Sequence, residues 1–236
     1  MNHPFHRDRL GFPMVWIPSL EIYLHWFPVT KLQFEAFLCD HSEGDLSAAW
    51  YQEVLRGNPR SSIDELHFGN LHQAFITGIR AEEARRFANW NGDGFRLPSP
   101  EEWVHSFRRL SELDASPPDW IFRGLRHRRF ERLFNRLMQV ATESYGFGSD
   151  FNLATTMLMV GGILEWVRNK HSSDPDSACG LPPTHFFPVL KTPESTVQPV
   201  HLQDKITAYP FGARLVFDPA EYARKAHEEG ESCSMD

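Results

Sequence analysis

Cysteine is scarce in this 236-residue chain. Cys39, Cys179 and Cys233 are odd in number and far apart, which excludes a disulfide framework and a Cys-x-x-Cys metal site. Positive charge is also short, with 24 Lys and Arg against 31 Asp and Glu and a net charge of −7. General nucleic-acid binding needs a basic surface, so that class is not expected. No apolar run approaches the ~18 residues of a membrane span, so no membrane association is expected. Met1 to Phe12 lacks the apolar stretch of a signal peptide, which predicts a soluble, cytoplasmic protein. A Gly-rich phosphate loop, a Gly-x-Ser-x-Gly elbow and a His pair at i, i+4 spacing are all missing, although the chain holds 12 His. Pairs such as His67 and His72, or His25 and His41, read as ordinary surface or packed histidines. Internal repeats and low-complexity tracts are missing too.

Aromatic residues, by contrast, are plentiful: 19 Phe and 7 Trp can bury a sizeable core. Met14 to Trp26 reads as extended structure interrupted at Pro18-Ser19. Thr30 and Gln33 have the spacing of a capping box, and Val29 and Phe34 that of a hydrophobic staple, so a helix starts there. Trp50 to Leu55 suggests a short helix that Asn58-Pro59 breaks. A further helix runs from Ala81 to Trp90 and ends at Asn91-Gly92. Ser99 and Glu102 form a second capping box, with Pro100 at the first helical position. From about Asp119 to Ala141, Phe130, Leu133, Phe134, Leu137 and Ala141 share one face of an amphipathic helix. Short strands are predicted at Ile163–Val167, Val197–Leu202 and Ala213–Phe217. The outcome is an α+β chain of few helices, short strands and much irregular structure.

Four blocks carry a family resemblance. Phe27 to Leu38 is the first, Ala84 to Trp90 with Phe95-Arg96-Leu97-Pro98-Ser99-Pro100-Glu101-Glu102-Trp103 the second. Phe151 to Trp166, ending Gly161-Gly162-Ile163-Leu164-Glu165-Trp166, is the third, and Gly212-Ala213-Arg214-Leu215-Val216 the fourth. In this order they resemble the formylglycine-generating-enzyme, or sulfatase-modifying-factor, family. The resemblance implies a C-type-lectin-like fold over residues 8–220, with 117–145 an inserted Arg-rich amphipathic helix and 221–236 a polar tail. Arg96, Glu102, Trp103, Trp166 and Arg214 then read as structural. Arg96 could pair with Glu101, Glu102 or Glu165.

Catalytic members of that family use two cysteines five positions apart, ahead of an Arg-x-Arg pair, and two thiolates at that spacing suit copper(I). Here the corresponding stretch, His171 to Pro199, holds Cys179 alone, with Thr184 five positions on and no Arg-x-Arg. Copper is therefore not expected, and no cofactor is. The family's calcium segment maps to Gly161, Ile163 and Glu165, but Leu158 and Gly162 stand where oxygen-bearing side chains are usual. Sulfoxide synthases of the ergothioneine type carry a similar domain, with a three-histidine iron site on a helical bundle for which this sequence shows no counterpart.

A non-catalytic recognition or scaffold role follows. It has an acidic protein partner held by Arg123, Arg126, Arg128, Arg129, Arg132 and Arg136, together with the loop 171–199. The alternative is a metal-dependent oxidoreductase built on Cys179 and His185.

Overall fold

Short strands and well-capped helices alternate in this molecule. The structure, a computed structural model, describes residues 5–41, 46–110, 125, 127–144, 163–168, 177–180, 197–199 and 211–232. Among these, β1 (Phe5–Arg7), β2 (Pro13–Ile17), β3 (Ile22–His25), β4 (Phe95–Arg96), β5 (Leu164–Val167), β6 (Ser177–Gly180), β7 (Val197–Pro199), β8 (Phe211–Ala213) and β9 (Val216–Phe217) make two sheets. The first has the order β1-β2-β3-β9-β4 and is antiparallel throughout. The second has the order β7-β6-β5-β8, with β5 and β8 parallel. The helices are α1 (Lys31–Asp40), α2 (Ala48–Gly57), α3 (Ala81–Asn91), α4 (Pro100–Leu110), α5 (Arg128–Ser144) and α6 (Pro219–Ser232). This is the α+β architecture that the sequence predicts.

The capping signals explain where helices begin. Thr30 Oγ1 accepts from the Gln33 amide at 3.1 Å and Gln33 Oε1 accepts from the Thr30 amide at 2.8 Å. Val29 and Phe34, the expected staple, are both fully buried. Ser99 and Glu102 repeat the arrangement ahead of α4, at 3.1 and 2.7 Å. Gly92, with φ 117°, ends α3 in a conformation that favours glycine.

One core joins the layers. Phe34 and Phe37 of α1 pack on Phe87 of α3, each with ring centroids 5.7 Å apart. The apolar stripe of α5 lies as its periodicity predicts: Leu133, Phe134 and Leu137 are buried, and Phe134 meets Phe27 at 5.7 Å. The 211–217 segment ties both sheets to this core. Val29 donates to the Ala213 carbonyl at 2.8 Å and His25 to that of Leu215 at 2.9 Å. Gly212 has to be glycine here, because a Cβ would stand 2.5 Å from the Ile76 carbonyl.

The C-terminal stretch differs from its polar-tail reading. It is helical from Pro219 to Ser232, and Asp218 caps it by accepting from the Ala220 and Glu221 amides at 3.1 Å. The capping Asp followed by Pro at the first helical position is a start signal that the polar composition masked. The Arg-rich helix is described only from Arg128, and residues 111–124 lie outside the described residues.

Candidate functional site

Three arginine-centred clusters organise the interior and one face. The first surrounds Arg214, which is fully buried just before β9. Its Nε and Nη2 donate to both oxygens of Glu165 on β5, at 2.9 and 2.8 Å. Its Nη1 donates to the carbonyls of Trp26 at 2.9 Å and His25 at 3.3 Å. Trp103 Nε1 of α4 completes the Glu165 shell at 2.8 Å. Trp166 Nε1 donates to the Ile79 carbonyl at 2.7 Å. Buried charges are tolerated where they are paired and hydrogen-bonded, and here each of the three Arg214 nitrogens has an acceptor.

This geometry bears on both metals that the family resemblance brings up. Glu165 has both oxygens committed to Arg214 and Trp103, so the carboxylate has little left to offer a cation. Gly161 lies outside the described residues, while Ile163 is buried at the start of β5. Cys179 on β6 stands opposite Glu165 in the sheet and packs with Trp103 and Val167. Burial, reinforced by the Glu165 and Glu101 carboxylates, pushes its thiol up to about 12. Burial in the sheet thus disfavours the thiolate, the form in which a cysteine acts as a nucleophile. Cys39 is free and exposed near the end of α1. Neither it nor Cys179 forms part of a group of three or more metal-ligating side chains among the described residues. His185, the other member of the alternative pair, lies outside the described residues.

The second cluster is centred on Arg96 of β4. It grips Glu102 with two bonds, at 2.7 and 2.8 Å, and Asp218 at 2.9 Å, with Glu221 of α6 at 3.3 Å from Nε. Burial pushes the Glu102 and Asp218 carboxyls up, but the Arg96 bonds and charge outweigh it and hold both below the usual carboxylate range. Of the partners offered by the sequence, Glu102 is the one Arg96 takes, and Asp218 and Glu221 were missed. They lie more than a hundred positions away, and only the α6 start signal at Asp218-Pro219 pointed towards them.

The third cluster is open. A cleft of about 690 Å³ lies between the first turns of α1 and α5 and the 60–66 connection. Lys31, Arg60, His127, Arg128, Arg129 and Arg132 line it, with Asp64 as its acidic residue. Asp64 is bound at both oxygens by Arg132, at 3.0 Å. Arg60 forms an ion pair with Glu35, which also accepts from the Tyr51 hydroxyl at 2.7 Å. Among the described residues no carboxylate pairs with Arg128 or Arg129, both exposed. Lys31 is buried at the cleft floor. Its ammonium donates to the Gln73 carbonyl at 2.6 Å, that of Pro59 at 2.8 Å and Asn58 Oδ1 at 3.2 Å.

Like charges press on one another along this cleft. Burial and then Arg129 push the Arg60 guanidinium down, burial and then Arg60 push Lys31 to about 7, and burial and then Lys31 push His72 down. Three acceptors suit an ammonium, so Lys31 is held as a donor while its surroundings oppose its charge.

Of the arginines read from the sequence, Arg128, Arg129 and Arg132 meet in this cleft. Arg136 does not: it turns to the Leu66 carbonyl, at 2.6 and 3.0 Å, and anchors α5. Arg123 and Arg126 lie outside the described residues. Arg60 and Lys31 were not read as site residues, since no local pattern announces a contact made across the fold. Residues 12–199 match the sulfatase-modifying factor enzyme 1-like domain. No individual curated protein matches the chain.

Proposed function

The chain belongs to the sulfatase-modifying factor enzyme 1-like family, and from that premise we propose that it is a non-catalytic recognition module docking an acidic protein partner at the α5 cleft. The observation that carries this reading is the cleft's uncompensated charge. Arg128 and Arg129 stand exposed beside Arg60 and Lys31, and Asp64 is already taken by Arg132. Guanidinium forks pair well with carboxylates, and a helix start adds attraction for anions. The state of Cys179 supports the non-catalytic half. A thiol pushed up to about 12 inside a sheet is a poor starting point for oxidation chemistry. Among the described residues no helix is long and apolar enough to cross a membrane.

Both halves can be tested on the full chain. A labelled hexaglutamate peptide, followed by fluorescence anisotropy at low salt, is expected to bind. Reversing charge with Arg128→Glu and Arg132→Glu is expected to abolish that binding, because exposed charge pairs act through a screened field. Binding unchanged in the double variant would overturn the docking reading. For the other half, copper near one equivalent that disappears in Cys179→Ser, with oxygen uptake on cysteine peptides, would establish the oxidoreductase alternative instead.

A further inference from the structure

We infer that the α5 cleft receives a phosphomonoester dianion, presented on a phosphorylated side chain of the partner and gripped by Arg128 and Arg129. The inference rests on the docking reading above and narrows its chemistry from acidic to phosphorylated. Charge matching leads to it first. Asp64 is occupied by Arg132, and Glu35 by Arg60 and Tyr51. That leaves the two guanidiniums of Arg128 and Arg129 without a carboxylate among the described residues. A carboxylate would answer one of them. A phosphomonoester carries a charge of about −1.5 to −2 near neutral pH and three acceptor oxygens, enough for both. Arginine forks suit such an oxyanion better than lysine does, because two parallel donors meet two oxygens.

The surroundings argue in the same direction. Arg128 and Arg129 occupy the first turn of a 17-residue helix. Cations there oppose the helix dipole, and that placement is unfavourable without an anion to share. Arg60 and Arg129, both lining the cleft, oppose one another's charge, and a dianion between them relieves that opposition. The cleft, at about 690 Å³, is far larger than a phosphate group, so the group arrives attached to a body. Leu32, Ile63, Leu66 and Leu133 supply an apolar wall for that body. His127, Arg128 and Arg129 at the rim are exposed, which suits a ligand offered from the surface of another protein.

An NMR titration of the full chain at fixed ionic strength separates the outcomes. The probes are a capped Ala-phosphoserine-Ala peptide, the same peptide with glutamate in place of phosphoserine, and ribose 5-phosphate. The phosphopeptide is expected to bind about tenfold or more tightly than the glutamate peptide, since it meets two arginines rather than one. Shifts are expected at Arg60 and Arg129. Binding is expected to vanish in Arg128→Glu with Arg129→Glu, weaken in the milder Arg129→Gln, and survive in Arg224→Glu, an exposed arginine of α6 outside the cleft. A melting curve for each variant verifies folding. Equal affinity for the two peptides overturns the dianion inference while the acidic docking reading stands. Tighter binding of ribose 5-phosphate than of the phosphopeptide overturns the side-chain source. No binding of any probe, hexaglutamate included, overturns both readings.

Discussion

Arg214 and Arg96 are enclosed by carboxylates that the chain itself supplies, whereas Arg128 and Arg129 are left to solvent. Arg214 is fully buried and has Glu165 on two of its nitrogens and main-chain carbonyls on a third. Arg96 joins β4, α4 and α6 through Glu102, Asp218 and Glu221. The α5 pair contributes no such bond among the described residues, and it sits where the helix dipole disfavours cations. The contrast separates two uses of one side chain. Arginine whose fork is filled from within fixes the fold, and arginine whose fork is empty is available to something else.

The largest test of that separation is Arg214→Met. It leaves Glu165 buried with a lost partner, and breaking a buried pair in this way costs about 3–5 kcal/mol. Denaturant unfolding measures it. A cost below about 1 kcal/mol would erase the distinction between the enclosed and the open arginines.

Acid gives the next effect. Glu102 and Asp218 are held below their ordinary range in the fold. Between their ordinary and folded values the unfolded chain binds more protons than the fold, so stability rises with pH there. Their contribution is complete above the ordinary carboxylate range and is lost as pH falls through the folded values. The melting temperature is therefore expected to drop on acidification below about pH 4. In Arg96→Gln, measured from pH 6 to 2, that dependence should flatten. An unchanged slope would mean that the Arg96 cluster does not set the acid response.

The fold was legible in the sequence wherever the signal was local. Capping boxes at Thr30 and Ser99, the Gly92 stop and the apolar stripe of α5 each need only a few neighbouring residues. The blocks around Trp103 and Trp166 were readable as structural, but not the bond from Trp103 to Glu165, which spans 62 positions. Arg96 illustrates the limit: its capping-box partner Glu102 was a visible candidate, while Asp218 belonged to a helix hidden by polar composition. The cleft was half legible. The abundance of arginine on the amphipathic helix singled out Arg128, Arg129 and Arg132, yet Lys31 and Arg60 enter it through tertiary packing, and Arg136 leaves it for the Leu66 carbonyl.

The smallest effect is also the most diagnostic, because its sign differs between the two sets. Arg129→Glu replaces a cation in the first turn of α5 with an anion. That reverses an unfavourable interaction with the helix dipole, worth about 0.3–1 kcal/mol at exposed positions. It also removes the repulsion from Arg132 three residues on, and sets a Glu N-terminal to an Arg on the same face, which adds about 0.2–0.5 kcal/mol. Arg129 is exposed and has no carboxylate to abandon among the described residues, so nothing comparable is lost. The variant should therefore unfold at slightly higher denaturant concentration than the parent, with an unchanged slope, while binding anions less well. Stability that rises as recognition falls is the pattern of a residue kept for what it binds. A loss of stability as large as that of Arg214→Met would instead place Arg129 among the arginines that hold the fold together.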